Sequence, residues 1–175
     1  MDSEKRMNDA RVAVLAAVPH LEFVDIQHGA AVGDPGCAAL ASMQSLRYLE
    51  LKDSCATRKG LASLAKASKL TRLEIGVPEE VADDGLAELA ALADLETLDF
   101  SGSGTTGAGW KAFRGHARLR RLEMSSEALE ESSMEHLAGM PALESVKIFR
   151  AKKFTDAALK PLTKCAKLRA VDFMY

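Results

Sequence analysis

Long apolar runs are missing from this sequence of 175 residues. No stretch approaches the ~18 apolar residues of a membrane helix. The opening MDSEKRMNDARVAVLAAVPHLEF is interrupted by Asn8, Asp9 and Arg11, so a soluble chain without a secretion signal is expected. Cysteine is scarce as well. Cys37, Cys55 and Cys165 are odd in number, far apart and without CxxC spacing, which argues against a disulfide framework or a zinc site and for a reducing cytoplasm. Charge of either sign is not in surplus: the formal net charge is -2. No global attraction to nucleic acid or to a membrane surface follows from it, and electrostatic arguments must be local.

What is present is enough apolar material, 47% of residues against 27% charged, for one continuous core. That material is periodic. Leucine, two variable residues, an aliphatic, one variable residue and another apolar residue recur seven times: LEFVDI from Leu21, LRYLEL from Leu46, LTRLEI from Leu70, LETLDF from Leu95, LRRLEM from Leu119, LESVKI from Leu143 and LRAVDF from Leu168. The leading leucines step by 24 or 25 residues. Two further apolar columns precede each of them. One runs Val12, Cys37, Leu61, Leu86, Trp110, Met134, Leu159, and the other Leu15, Leu40, Leu64, Leu89, Phe113, Leu137, Leu162. Their spacing of three is helical, whereas LxxLxL alternates as a strand does. Each unit therefore reads as helix then strand. Helix starts are expected at Asn8 or Asp9, at Asp34 before Pro35, and at Thr57, Asp84, Ser132 and Thr155 or Asp156, residue types that cap helix N-termini.

In these seven units the chain resembles a leucine-rich repeat protein, of the ribonuclease-inhibitor-like type with a helical convex side. The resemblance covers about Asn8 to Phe173. It implies an α/β right-handed solenoid, a curved parallel sheet of seven strands on the concave side, helices on the convex side, and a protein or peptide partner in the concavity. The chain departs from the family eight residues after the leading leucine, where Asn or Cys is common. Gly29, Ser54, Pro78, Ser103, Glu127 and Ala151 stand there instead. No unit can bury both its faces alone, so stability sums along the stack and the ends are its weak points. A single domain spanning 1–175 is expected, with 1–20 as a partial repeat or capping helix. The last repeat stops on its strand, an open edge that self-association or an additional domain would protect.

The stretch SGSGTTGAG carries GxGxxG at Gly102, Gly104 and Gly107, the spacing of a dinucleotide-binding loop. In the repeat frame it is one strand-to-helix connection among six. Glu123, which would have to end the next strand, falls in the middle of it. Turn formation is the simpler role of these glycines. An enzyme or nucleotide-binding protein using Gly102 to Gly109 stays as the alternative reading, and a recognition subunit or effector adaptor of a larger assembly as another. The histidines, His20, His28, His116 and His136, occupy unrelated places in the frame. His116 falls in a helix column and reads as a hydrogen-bonded core or rim residue. Trp110, Phe113, Cys37 and Cys165 read as core. No catalytic set, metal site or cofactor is expected.

The working surface is expected on the concave face, where positions two, four and six after each leading leucine point. Its middle row is Asp25, Glu50, Glu74, Asp99, Glu123, Lys147 and Asp172. Adjacent strands lie about 4.8 Å apart, so neighbouring carboxylates repel by roughly 1 kcal/mol in water and more where water is excluded. Arg72, Arg121 and Lys52 stand close enough to form a carpet of ion pairs; a partner's cationic segment would relieve the same repulsion. Phe23 and Tyr48 at one end, and Phe149, Met174 and Tyr175 at the other, add exposed aromatic and apolar groups of the kind that anchor partners. Protein or peptide binding is thus the expected function.

Overall fold

Alternation of buried leucine with polar residues makes every LxxLxL segment a strand, and each strand pairs with the equivalent segment of the next repeat. The computed structural model describes residues 7–27, 31–152 and 154–174. His28, Gly29, Tyr175 and the MDSEKR start fall outside them. The strands are β1 (Phe23–Ile26), β2 (Tyr48–Leu51), β3 (Arg72–Gly76), β4 (Thr97–Ser101), β5 (Arg121–Ser125), β6 (Ser145–Phe149) and β7 (Ala170–Met174). They form one parallel sheet in sequence order. The register runs Val24 to Leu49 to Leu73 to Leu98 to Leu122 to Val146 to Val171. At each strand entry one backbone carbonyl accepts two amides of the next repeat, as Glu22 does from Arg47 and Tyr48.

The inward sheet residues pack against an outer layer of helical segments: α1 (Asp9–Ala16), α2 (Asp34–Ala41), α3 (Arg58–Leu64), α4 (Ala82–Leu89) and α5 (Met134–Leu137), with 3-10 segments at Ala108–Phe113, Glu131–Ser133 and Asp156–Lys164. Between the layers runs a continuous core from Val12 to Cys165. The change from α to 3-10 winding has local causes. Trp110 and Phe113 are both fully buried with ring centroids 5.4 Å apart, and winding of three residues per turn sets side chains at this spacing directly above one another. In the last repeat Pro161 lies inside the helix and cannot donate the amide an α-helix requires. That winding turns Leu159 outward, 39% exposed, and puts Ala158 in its place in the core. The expected core column fails at this one position.

Helix capping departs from expectation and shows how repeats are coupled. Asn8, Thr57 and Thr155 cap their own segments, accepting from Arg11 N, Lys59 N and Ala157 N. Asp34, Asp84 and Ser132 do not: the caps there are Gly33, Val81 and Glu130, none with a side-chain bond. Acids of one repeat reach forward into the next instead. Asp9 Oδ1 accepts from the amides of Gly33 (2.8 Å) and Gly36 (3.0 Å). Asp34 accepts from Thr57 N and Thr57 Oγ1, both at 2.8 Å, and Glu131 accepts from Thr155 N. Burial raises the Asp34 pKa, but the bonds from Thr57 and the Gly60 amide outweigh it and hold the carboxyl below its ordinary 3.8. Glycine follows from this closeness. A Cβ on Gly36 would stand 2.6 Å from Asp9 Oδ1, and one on Gly60 would strike Asp34 Oδ1. Eight residues after its leading leucine, Ser54 Oγ donates to Gly76 O at 2.7 Å; one position earlier in its own repeat, Ser126 Oγ donates to Ser103 O and Thr105 O.

Among the described residues no strand pairs with the outer edge of β7, where Val171 is 43% and Met174 45% exposed. Phe173 is half-buried against Phe154 at 6.1 Å. Among the described residues no helix is long and apolar enough to cross a membrane.

Candidate interaction face

The sheet register sets the acidic row in line: Asp25 faces Glu50, Glu50 faces Glu74, then Asp99, Glu123, Lys147 and Asp172. Its members do not share one environment. Glu50 and Glu74 are only 6% and 8% exposed, covered by side chains that neutralise them. Lys52 Nζ lies 2.9 Å from Glu50 and 3.6 Å from Glu74. Arg72 donates through Nη2 (2.6 Å) and Nε (3.0 Å) to Glu74 Oε1. Tyr48 Oη shares its proton between Glu50 (2.9 Å) and Glu74 (3.1 Å). The hydrogen bond from Lys52 lowers the Glu50 pKa below 4.5 against the effect of burial. Burial first, and then the bond to Glu50, push the Tyr48 hydroxyl pKa well above 10. Stacking completes the knot: Phe23 lies on Tyr48 at 4.3 Å, and the Arg72 guanidinium sits 5.0 Å from the Tyr48 ring centre. The outer side of Phe23 stays 57% exposed.

Exchanging Glu74 for glutamine removes the charge, and one of the two oxygens, that serve Tyr48, Arg72 and Lys52 at a buried position. Glu74→Gln is expected to cost about 1–2 kcal/mol, seen as a Tm lowered by about 4 °C in calorimetry. Equal or higher stability would mean that carboxylate repulsion governs this end of the row.

The second half of the row is built differently. Arg121 forms no ion pair with Glu123, contrary to expectation. Arg121 is exposed, and Glu123 has Lys147 as its cation, at 3.9 Å. Asp99 has no hydrogen bond or ion pair with a described residue. Its burial, and then the charges of Glu123 and Glu74, raise its pKa from 3.8 to about 6. It lines a cleft of about 340 Å3 with Thr97, Arg121, Glu123, Ser145 and Lys147. Asp25 is exposed at the first edge, where Gln27 Nε2 donates to it. Phe149 and Met174 face each other at the last two strands.

The glycine stretch is occupied from within. Asp83 Oδ2 accepts from Thr106 N (3.0 Å) and Thr106 Oγ1 (2.6 Å), and Oδ1 from Gly107 N (3.0 Å) and Gly109 N (3.2 Å). Three of the amides a phosphate would need already hold a carboxylate. Gly107 is required for the turn itself: its φ is +91°, and a Cβ there would strike Ser133 Cβ. A polar trough of about 460 Å3 lies beside it, lined by Ser54, Ser101, Ser103, Ser126 and Arg150 among others. The hydroxyls of Ser54, Ser101 and Ser126 donate to turn and strand carbonyls.

Of the histidines, His116 is structural. Nε2 lies 3.0 Å from Leu92 O and Nδ1 accepts from Leu119 N at 3.1 Å, which fits the Nε2–H tautomer. Cys37 and Cys165 are buried and Cys55 exposed, all as free thiols. Burial pushes the Cys37 thiol up to about 12 and raises Cys165 as well, the environment of inert thiols.

No protein-family profile matches the chain, and neither does any curated protein sequence. Among solved structures it is similar to an internalin from Listeria monocytogenes, with 21% identity and a TM-score of 0.64 over 93% of this chain and 50% of that one. A plant peptide hormone receptor, RGFR1 in complex with RGF2, matches at 12% identity with a TM-score of 0.39, over 93% of this chain and 33% of that one. The chain thus spans half the length of the internalin it matches. In fold it is an α/β leucine-rich-repeat solenoid, its seven strands in one parallel sheet and its helical segments on the other layer.

Proposed function

We propose that this chain is a non-catalytic protein- or peptide-binding module whose concave sheet face takes a partner with a cationic segment. The observation that carries the reading is the split within the acidic row. Glu50 and Glu74 are neutralised internally, while Asp99 makes no ion pair with a described residue, Lys52 acting on it only from a distance, and Glu123 has only Lys147 at 3.9 Å. A lysine or arginine entering the cleft between β4 and β6 would remove the repulsion that raises the Asp99 pKa, and the exposed ring of Phe23 and the Phe149 and Met174 pair would anchor flanking residues. We assign the repeats to the ribonuclease-inhibitor-like type on the α-helical outer segments of the first four units, and the chain to the cytoplasm on its free thiols. The open edge of β7 is given to a further strand, from a second copy or an adjoining domain.

Peptides selected from a random displayed library on the immobilised protein test this reading. They are expected to be rich in Lys and Arg, and to bind the Asp99→Asn/Glu123→Gln variant at least tenfold more weakly. Selected peptides without basic residues, or binding that the double variant leaves unchanged, would overturn it.

A further inference from the structure

Basic residues are unevenly placed along this chain. Residues 150–175 hold seven Lys and Arg against two Asp, although the whole chain is net -2. On the helix side of the molecule part of this excess meets in a cleft of about 590 Å3. Arg114, from the end of the Ala108–Phe113 segment, lines one part, His136 on α5 another, and Lys160 and Lys164 on the last 3-10 segment a third. Small residues, Ala138, Gly139 and Ala157, keep the cleft open.

Two observations separate this cluster from ordinary surface charge. Several exposed cations elsewhere on the molecule hold carboxylates of neighbouring repeats, Arg58 with Glu88, Arg118 with Asp94, Arg120 with Glu144 and Lys152 with Glu127; here three cations converge on one cleft instead. The side chains of Arg114, Lys160 and Lys164 have neither an ion pair nor a hydrogen bond with a described residue, and Glu135 is the single carboxylate lining the cleft. Arg114 also runs close over Gly139: a Cβ there would lie 3.0 Å from Arg114 Cγ and 3.1 Å from its Nε, so the absence of a side chain at Gly139 leaves room for the arginine arm. Gly115 N donates to Gly139 O at 2.8 Å and ties the two segments together.

From this geometry we infer that the cleft binds a small compound carrying two or more phosphoryl groups. A planar guanidinium donates to phosphate oxygens in pairs, while two lysines supply point charges across the opening. The opening exceeds what a single phosphate fills. Glu135 in its lining and the negative balance of the rest of the chain disfavour a long polyanion, whose backbone would run over them. The site is independent of the sheet face and of whatever binds there.

Titration calorimetry with inorganic pyrophosphate, at ionic strength held constant with sodium chloride, tests the inference. One saturable site is expected, at least tenfold tighter than for inorganic phosphate. Lys160→Gln/Lys164→Gln, at two exposed positions that leave the core intact, is expected to weaken pyrophosphate about tenfold or more, and Arg114→Gln likewise. Lys66→Gln/Lys69→Gln, on a distant repeat, and Asp99→Asn/Glu123→Gln on the sheet face should leave the affinity unchanged. Non-saturable binding, an equal response from Lys160→Gln/Lys164→Gln and the unaltered protein, or binding of a phosphoserine peptide but not of pyrophosphate would each overturn it.

Discussion

Asp83→Ala is expected to lower stability by about 3–5 kcal/mol, although Asp83 lies on an outer helix and touches no core side chain through its carboxylate. Four donors of the next repeat converge on it: Thr106 N, Thr106 Oγ1, Gly107 N and Gly109 N. Hydrogen bonds to a charged acceptor contribute roughly 1.5–3 kcal/mol each, and amides left without a partner add their desolvation cost, offset in part by water. In a protein of this size the loss corresponds to a fall in Tm of roughly 10 °C. Because neighbouring repeats stabilise one another only through their interfaces, the damage should be local as well. Hydrogen exchange at Gly107 and Gly109 should accelerate before exchange in β1 or β2. Asp83→Asn should fall between, since one carboxylate oxygen is replaced by an NH2 group that faces donors. A Tm within about 2 °C of the unaltered protein would show that water satisfies these amides as well as Asp83 does.

This coupling explains where the sequence is legible and where it is not. Strand positions and their register can be read from LxxLxL because burial there depends on the residue itself and on equivalents in adjacent repeats. The caps can be read only in part: Asn8, Thr57 and Thr155 cap their own segments, but other turns are served by a carboxylate of the preceding repeat, 23 to 27 residues earlier for Asp9, Asp34 and Asp83. A signal was present in the glycines. Gly36, Gly60 and Gly109 each stand where a Cβ would meet the acid-bearing helix of the previous unit, and the pairs Asp34 with Gly60 and Asp83 with Gly109 repeat one spacing. GxGxxG at Gly102 to Gly107 is partly the same signal: its third glycine and Gly109 make room for Asp83 and Ser133, and no free phosphate cradle results. The acidic row is legible as a row, but its division is not. Whether Lys52, Arg72, Arg121 or Lys147 reaches a given carboxylate depends on side-chain paths across three strands. Tyr48, by donating to Glu50 and Glu74, closes the first half together with Lys52.

That division gives the second large effect, with the opposite sign. Asp99→Asn should stabilise the protein at neutral pH. The Asp99 pKa rises from 3.8 to about 6 on folding, through burial and the charges of Glu123 and Glu74. The folded state is therefore penalised for the ionised form: no penalty exists below about 3.8, it grows between 3.8 and 6, and it is complete above. Such a displacement amounts to at most about 3 kcal/mol, and about 2 once water in the cleft screens it. The variant should melt about 4–8 °C higher than the unaltered protein at pH 7.5, with the difference shrinking to nothing near pH 3.5. The contribution of Glu50 runs the other way, because its folded pKa is depressed. Its stabilisation is present above 4.5 and disappears as pH falls below that value. Acidifying the unaltered protein from pH 7 should accordingly strengthen it through Asp99 before weakening it through Glu50. A destabilised Asp99→Asn variant at pH 7.5 would mean that Asp99 has a cation in solution, Arg121 or Lys147 being within the same cleft. Gain in stability together with loss of peptide binding would instead identify Asp99 as a group kept charged at a cost to the fold, which is the balance expected of a binding site rather than of a structural one.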